Sequence, residues 1–295
     1  MHQQSIANCL RFQGYSLACL LISLSGWGCQ PAASPPVAPP AAAGPETGDT
    51  ATPVAAEKTI KLVVAMASDL RFVAVELQKE FEQQSPEMKL NPKFGSSGEL
   101  FAQISNQAPY DVFLSADMQF PQKLVEAELT TEDSLFQYAI GHIVLWVRND
   151  SPLPVEAQGA EILKDPQLKK LAIANPKLAP YGRAAEAALK KLGLYEGLQE
   201  KLVLGKNVAQ AAQFAESGAA DAAVVGLSFA MAPEFASKGK YWKFPADLYP
   251  QMDQGGVILK QTNDPVGAKK FRDFLQTPRA RDIFKKYGFG LPEAK

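Results

Sequence analysis

The chain has 295 residues, of which 46% are hydrophobic and 21% charged, so it can bury a large core as one large or two medium domains. Its 31 acidic and 30 basic residues nearly cancel, which argues against nucleic acid and other polyanions as partners. Only two histidines are present, His2 and His142, so a zinc cluster is nearly excluded.

The N-terminal segment has the features of an export signal. Arg11 precedes an apolar run from Tyr15 to Leu24, far short of the roughly 20 residues that a membrane-spanning helix needs. The run leads to Ser25-Gly-Trp-Gly-Cys29, where small Gly28 immediately precedes Cys29; this stretch resembles a bacterial lipoprotein signal, although Trp27 departs from the pattern. We therefore predict a signal peptide over residues 1–29 with Cys29 as the lipidation site; ordinary cleavage without lipidation is the alternative.

The next segment, residues 30–57, is predicted to be a disordered tether. It contains seven of the 22 prolines and no aromatic residue, so it lacks the apolar surface needed to fold. All three cysteines, Cys9, Cys19 and Cys29, precede it. The mature chain beyond the signal therefore has no disulfide or thiolate metal site, although an exported protein would meet conditions that permit disulfides.

From Lys58 onward, strand-like runs alternate with amphipathic helical patterns. The predicted strands are residues 60–66, 89–94, 111–115, 142–147, 171–175, 201–204 and 221–225. The predicted helices cover residues 70–81, 100–104, 120–129, 183–192 and 208–216. Repeated βα alternation predicts an α/β fold with largely parallel sheets.

Four strand-to-helix junctions contain small, polar or glycine residues. They are residues 67–69, 95–98, 179–182 and 206–208. Each is by itself compatible with an ordinary helix cap, since Ser, Asp and Asn are preferred there. In parallel sheets, however, ligands bind beyond the carboxyl ends of the strands, where helix N-termini offer free N–H groups. Together the four junctions favour a binding site.

The junction Gly95-Ser96-Ser97-Gly98 is the strongest of the four. One serine suffices for a cap, so the second hydroxyl has spare bonding capacity, and the flanking glycines permit close backbone approach. A fully ionised tetrahedral oxyanion has only acceptors and wants such donors. Helix dipoles can stabilise it without a buried lysine.

These motifs together resemble the molybdate-binding proteins of bacterial ABC importers. The resemblance covers most of residues 59–290 and is carried by residues 65–68, 94–97, 111–117, 172–182 and 274–289. It implies a two-lobed type II periplasmic-binding-protein fold with two mostly parallel sheets joined by a two-strand hinge. Lobe one would comprise residues 58–142 with 257–295, and lobe two residues 143–256. Gly141, Gly255 and Gly256 are candidate hinge points, with plain turn glycines as the alternative.

The resemblance also implies the ligand-binding residues. The hydroxyl donors of the first lobe correspond to Ser68 and Ser97, and the backbone donors of the second lobe to Tyr181 and Val208. Many members of the family use a tyrosine where this chain has Val225, so the phenol of Tyr181 is the candidate substitute.

Three further residues beside the junctions are secondary candidates, namely Asp69, Ser96 and Lys206. Asp69 is a departure from the family, because a carboxylate repels an oxyanion unless it caps its helix or pairs with Arg71. Lys206 is a candidate for steering the anion, as is Arg183, although solvated charges at helix ends are the simpler interpretation.

The function implied is capture of molybdate or tungstate between the lobes and delivery to an ABC permease. The protein would be an extracytoplasmic monomer in the periplasm or on the outer face of the cytoplasmic membrane, held there only through its lipid anchor. It would be no enzyme and would have no cofactor, and molybdenum would be present only as the bound oxyanion.

The sequence is compatible with three other functions. A binding protein for phosphate or sulfate is the first, and Asp69 would favour phosphate, which keeps a proton near neutral pH. A serine hydrolase is the second, but Glu99 occupies the last glycine position of the G-x-S-x-G motif and His142 is the sole base available. A purely structural lipoprotein is the third, since its signal and tether would look the same.

If Cys29 is lipidated, Cys29→Ser should move the protein from the membrane fraction to the soluble fraction without altering anion binding. Fractionation of cells that express each form measures this. Wild-type protein that is already soluble would point to ordinary cleavage.

Overall fold

The computed structural model describes residues 59–293. The predicted signal of residues 1–29, with Cys29, and the predicted tether of residues 30–57 lie outside the described residues. None of the helices within residues 59–293 combines the length and apolar character required to cross a membrane.

Ten strands form two five-stranded sheets in the described part of the chain. The strands are β1 Ile60–Ala67, β2 Met88–Gly95, β3 Val112–Ser115, β4 Phe136–Gly141, β5 Ile143–Arg148, β6 Leu171–Ala174, β7 Leu202–Gly205, β8 Ala222–Gly226, β9 Gly239–Lys243 and β10 Met252–Ile258. The first sheet has the order β2-β1-β3-β10-β4 and the second the order β7-β6-β8-β5-β9.

The α-helices pack around these sheets and follow the strands in chain order. They are α1 Val73–Gln84, α2 Ser97–Ser105, α3 Gln119–Glu126, α4 Val155–Gln158, α5 Pro180–Lys191, α6 Tyr195–Leu198, α7 Val208–Glu216, α8 Leu227–Ala230, α9 Pro233–Ala236, α10 Pro265–Leu275 and α11 Pro278–Lys286. A 3₁₀ turn over Ser68–Leu70 connects β1 to α1. The strand cores are apolar and buried, as in Leu62, Val64 and Ile173, so the sheets supply most of the hydrophobic core.

Each sheet is mixed, but four of its five strands run in one direction, in agreement with the prediction of mostly parallel sheets. In the first sheet β1 pairs in parallel with β2 and β3, whereas β10 runs antiparallel to β3 and β4. In the second sheet β6 pairs in parallel with β7 and β8, whereas β5 runs antiparallel to β8 and β9. The chain enters the second sheet through β5 and returns to the first through β10. Neither strand is connected to its sheet neighbours by a crossover helix, so neither has to run parallel to them.

The chain crosses between the sheets twice. It leaves the first sheet at the end of β4 and enters the second at Ile143, with His142 between them. It is back in the first sheet from Met252, so the predicted return at residue 257 lies inside β10. Gly255 and Gly256 are accordingly strand residues beside a bulge, and not a separate turn. A Cβ on Gly256 would lie 2.6 Å from the Phe136 ring, so close packing explains that glycine.

The carboxyl ends of the parallel strands face the start of helices in both sheets. β1 leads to the turn at Ser68, β2 to α2, β6 to α5 and β7 to α7. These are the four junctions selected from the sequence, and the topology makes each a helix N-terminus at the end of a strand.

Candidate functional site

A small pocket lies where the four junctions meet. Its empty space, open solvent included, measures about 180 Å³. Its lining residues come from both sheets and their helices: Ala67, Ser68, Asp69, Gly95, Ser96, Ser97, Ala116, Ala179, Pro180, Tyr181, Asn207 and Val208. The structure thus brings together six of the seven predicted site residues; the seventh, Lys206, is exposed and is not among the lining residues.

Adjacent serines in the Gly-Ser-Ser-Gly junction have different partners. Ser96 is the N-cap of α2: its Oγ accepts the N–H of Glu99 at 3.2 Å, and the Glu99 carboxylate accepts from Ser96 in return. This capping box occupies the hydroxyl of Ser96. Ser97 is 1% exposed, and its Oγ accepts the N–H of Ala116 at 3.0 Å. The hydroxyl proton of Ser97 is left for a ligand.

Gly98, the last residue of this junction, allows close contact with the part of the chain that is built on the second sheet. The N–H of Gly98 donates to the carbonyl of Leu178 at 2.9 Å. A Cβ on Gly98 would stand 2.7 Å from that same oxygen. The two parts of the molecule can therefore approach this closely only because position 98 has no side chain.

Ser68 supplies a second hydroxyl without a partner. It begins the 3₁₀ turn after β1 and is 3% exposed. Within residues 59–293 its side chain has no hydrogen bond to another protein group. Ser68 lines the pocket, so its hydroxyl is placed to donate to a ligand oxygen.

The second sheet contributes backbone donors. Tyr181 follows Pro180 at the start of α5, and Val208 is the first residue of α7 after the cap residue Asn207. N–H groups in the first turn have no carbonyl within the helix. Within the described chain those of Tyr181 and Val208 find no other backbone carbonyl. Two helix N-termini therefore direct free donors and positive dipole ends toward the pocket.

Comparison with known proteins agrees with this geometry. A family model described as bacterial extracellular solute-binding protein matches residues 62–290. The chain is 39% identical over 236 residues to the molybdate-binding protein ModA of Azotobacter vinelandii, covering 80% of this chain and 92% of that protein. It is 40% identical over 229 residues to ModA of Rhodobacter capsulatus, covering 78% and 88%. The chain belongs to this family of molybdate-binding, extracellular solute-binding proteins.

The three-dimensional structure is also similar to that of a family member. The solved periplasmic molybdate-binding protein of Azotobacter vinelandii matches with a TM-score of 0.74 at 36% identity, over 79% of this chain and 100% of that chain. The predicted two-lobed type II periplasmic-binding-protein fold is thereby confirmed. We call the part built on the first sheet the first lobe and the part built on the second sheet the second lobe.

The lobes are closed against each other by polar and aromatic contacts around the pocket. Ser228 donates from its Oγ to the backbone carbonyl of Asp69 at 2.8 Å. Arg183 of the second lobe forms an ion pair with Asp117 of the first, so it is engaged in closure and is no free steering charge. Phe72 and Phe229 meet edge to face with ring centroids 5.2 Å apart. Sequence reasoning missed Ser228 as a site neighbour, because a lone serine after a strand has no distinguishing signal.

Asp69 adopts neither conformation expected from the sequence. It makes no cap hydrogen bond, and Arg71 is exposed and forms no ion pair with it. Its side chain is instead fully buried, and its Oδ2 accepts the Nε2 of Gln254 at 2.6 Å. Burial raises the pKa of the Asp69 carboxyl from 3.8 to about 6, although hydrogen bonds from Gln254 and Tyr181 lower it in part.

The phenol of Tyr181 extends from α5 toward the first lobe. Its Oη lies 3.3 Å from the Nε2 of Gln254, and its ring packs on Gly226. Burial raises the pKa of Tyr181 well above its usual value, and the nearby Asp69 charge raises it further, so the phenol keeps its proton. Val225, the position of the family's tyrosine, is a buried residue of β8 and does not line the pocket. Gln254 was missed from the sequence because its neighbours Gly255 and Gly256 resemble a turn.

The residues required for a serine hydrolase are not assembled at the pocket. His142 is half-buried at the crossing between the sheets, where its carbonyl accepts the N–H of Leu227 at 2.8 Å. It is not among the residues that line the pocket with Ser97. Burial and the charge of Lys243 lower the pKa of His142. No nucleophile–base pair is therefore formed by Ser97 and His142.

Proposed function

We propose that this protein captures molybdate or tungstate outside the cytoplasm and delivers it to an ABC permease. The observation that carries the proposal is the donor set of the pocket: the hydroxyls of Ser68 and Ser97 and the N–H groups of Tyr181 and Val208. No lysine or arginine lines the pocket in the described chain. The 39% identity to the molybdate-binding protein of Azotobacter vinelandii supports the choice of anion.

A tetrahedral dianion satisfies this donor set in a way that a neutral solute does not. Its oxygens are acceptors only, and each unpaired N–H or O–H of the pocket gains a charge-assisted hydrogen bond to it. Donors from both lobes converge on the one ligand, so binding stabilises the closed arrangement over an open one. The permease would then recognise the closed, loaded protein.

The remaining parts of the proposal concern location and assembly. A lipid on Cys29 would hold the protein at the outer face of the cytoplasmic membrane, and residues 30–57 would let the binding domain move near the permease. The protein would work as a monomer, without a cofactor and without catalytic activity. The family of solute-binding proteins to which the chain belongs supports this transport role.

Another oxyanion is the second candidate, and Asp69 is the observation that favours it. A carboxylate at the pocket is suited to accept a hydrogen bond from an anion that keeps a proton, as hydrogenphosphate does. Sulfate, which has no such proton, gains nothing from that acceptor.

Molybdate and tungstate should each raise the melting temperature of the mature chain, because a ligand that binds only the native state stabilises it by mass action. At a hundredfold excess over Kd the gain is about 2.7 kcal/mol. Sulfate and phosphate should have much smaller effects at equal concentration. Thermal unfolding followed by circular dichroism measures the four shifts. A larger shift with phosphate would transfer the assignment to phosphate and make Asp69 an acceptor.

The two serines of the Gly-Ser-Ser-Gly junction should respond differently to alanine. Ser97→Ala removes a hydroxyl that would donate to the anion, and should cost about 1.5–3 kcal/mol of binding free energy, roughly ten- to 150-fold in Kd. Ser96→Ala removes the cap of α2, and should cost about 0.5–2 kcal/mol of unfolding free energy, with less than tenfold weakening of binding.

Calorimetric titration with molybdate and urea unfolding, both applied to each variant, separate these effects. If Ser97→Ala left binding unchanged, the junction would act through its backbone alone; equal weakening by the two substitutions would contradict the separate roles of the two serines.

A further inference from the structure

Asp69 is a charged group in a place where a charge is costly. It lines the pocket, its side chain is 0% exposed, and its carbonyl is held by Ser228 of the other lobe. A buried carboxylate is usually paired with a cation or supplied with several donors. The structure pairs Asp69 with no cation among the described residues, and its side-chain donors are the neutral groups of Gln254 and Tyr181.

One of the two carboxylate oxygens of Asp69 has no hydrogen-bond partner in the described residues. Its Oδ2 accepts from the Nε2 of Gln254, while its Oδ1 is buried without a partner in residues 59–293. The Oε1 of Gln254 is likewise a buried acceptor without a donor in the described residues. Two acceptors are thus left over in one cluster. A proton on Asp69 would turn one of them into a donor.

The groups that face Asp69 add no positive charge. Tyr181 approaches from α5, and Tyr138, on β4, is near enough for the Asp69 charge to raise its pKa. Gln254 on β10 and Ser228 on α8 are neutral. Arg71, the basic residue nearest in sequence, is exposed. Burial therefore raises the pKa of Asp69 to about 6, and this rise is opposed by hydrogen bonds but not by a nearby positive charge.

We propose that Asp69 takes up one proton when a tetrahedral dianion enters the pocket, so that capture of the anion and protonation of Asp69 are coupled. The proton comes from solvent and is held on the Asp69 carboxyl, and the anion stays fully ionised. The inference rests on the proposed function and makes Asp69 a specificity-determining residue. Neutral Asp69 admits a dianion, whereas ionised Asp69 repels it.

The coupling predicts the direction of the pH dependence. In the closed arrangement without ligand, Asp69 holds its proton below about pH 6 and loses it above. A bound dianion raises the pKa of Asp69 further, because like charges at close range disfavour ionisation. Above about pH 6, binding must therefore recruit a proton, and affinity falls by up to about tenfold for each unit of pH. Below that pH the proton is already present and the affinity is level.

The test is calorimetric titration of the mature chain with molybdate between pH 6.5 and 8.5, in two buffers of different ionisation enthalpy. The difference in heat between buffers counts the protons taken up. We expect the count for the wild type to approach one at pH 8, and that for Asp69→Asn, which resembles the protonated form, to be zero at every pH. At pH 8.5 the variant should bind at least about tenfold more tightly than the wild type, the change for one pH unit of a one-proton linkage.

Asp253→Asn is the matched control. Asp253 neighbours Gln254 on β10, but its carboxylate accepts from the amides of Gln137 and Gln251 and does not line the pocket. This variant should keep the proton count and pH dependence of the wild type.

Three results would overturn the inference. Tight molybdate binding by the wild type with no proton uptake at pH 8 would refute the coupling and leave the proposed function intact; this count needs no variant to fold. Looser binding of molybdate by a folded Asp69→Asn, together with tight binding of phosphate by the wild type, would mean that Asp69 stays ionised as an acceptor. If none of molybdate, tungstate, sulfate and phosphate binds, both the coupling and the proposed function fail.

Discussion

The proposed anion site must hold its ligand with hydrogen-bond donors, because no lysine or arginine lines the pocket in the described residues. Helix N-termini meet this constraint, because their first N–H groups have no partner within the helix. Tyr181 and Val208 provide such groups from the second lobe. Ser68 and Ser97 provide hydroxyls from the first. Each donor stands at the carboxyl end of a strand, so the order of strands and helices in the two sheets determines where the anion site can form.

The same constraint explains the residues of the Gly95-Ser96-Ser97-Gly98 junction. One hydroxyl caps α2 through the exchange between Ser96 and Glu99, and the other remains for a ligand. Gly98 lets the carbonyl of Leu178 approach and donates its own N–H to it. A single turn thereby starts a helix, contacts the second lobe and leaves one hydroxyl proton free to donate. Closure of the lobes and formation of the site are thus one structural event.

Sequence reasoning predicted the strands that are followed by regular helices, since hydrophobic periodicity and cap residues act locally. It did not find β4, β9 or β10. β4 leads into β5 without a helix between them, and β10 carries Gly255 and Gly256 inside the strand. It also misjudged Asp69. A cap or a partnership with Arg71 is a local expectation, whereas the observed partner, Gln254, lies 185 residues away along the chain. Contacts of that range depend on which strands become neighbours, and no short motif specifies them.

The central claim is that a molybdate or tungstate ion is held between the lobes at the four junctions. Diffraction from crystals grown with molybdate, measured on both sides of the molybdenum absorption edge, locates the metal directly. The account predicts one anomalous peak in the pocket, with ligand oxygens within hydrogen-bond distance of the Oγ atoms of Ser68 and Ser97 and the N–H groups of Tyr181 and Val208. A peak elsewhere on the molecule, with this pocket closed and free of metal, would contradict it.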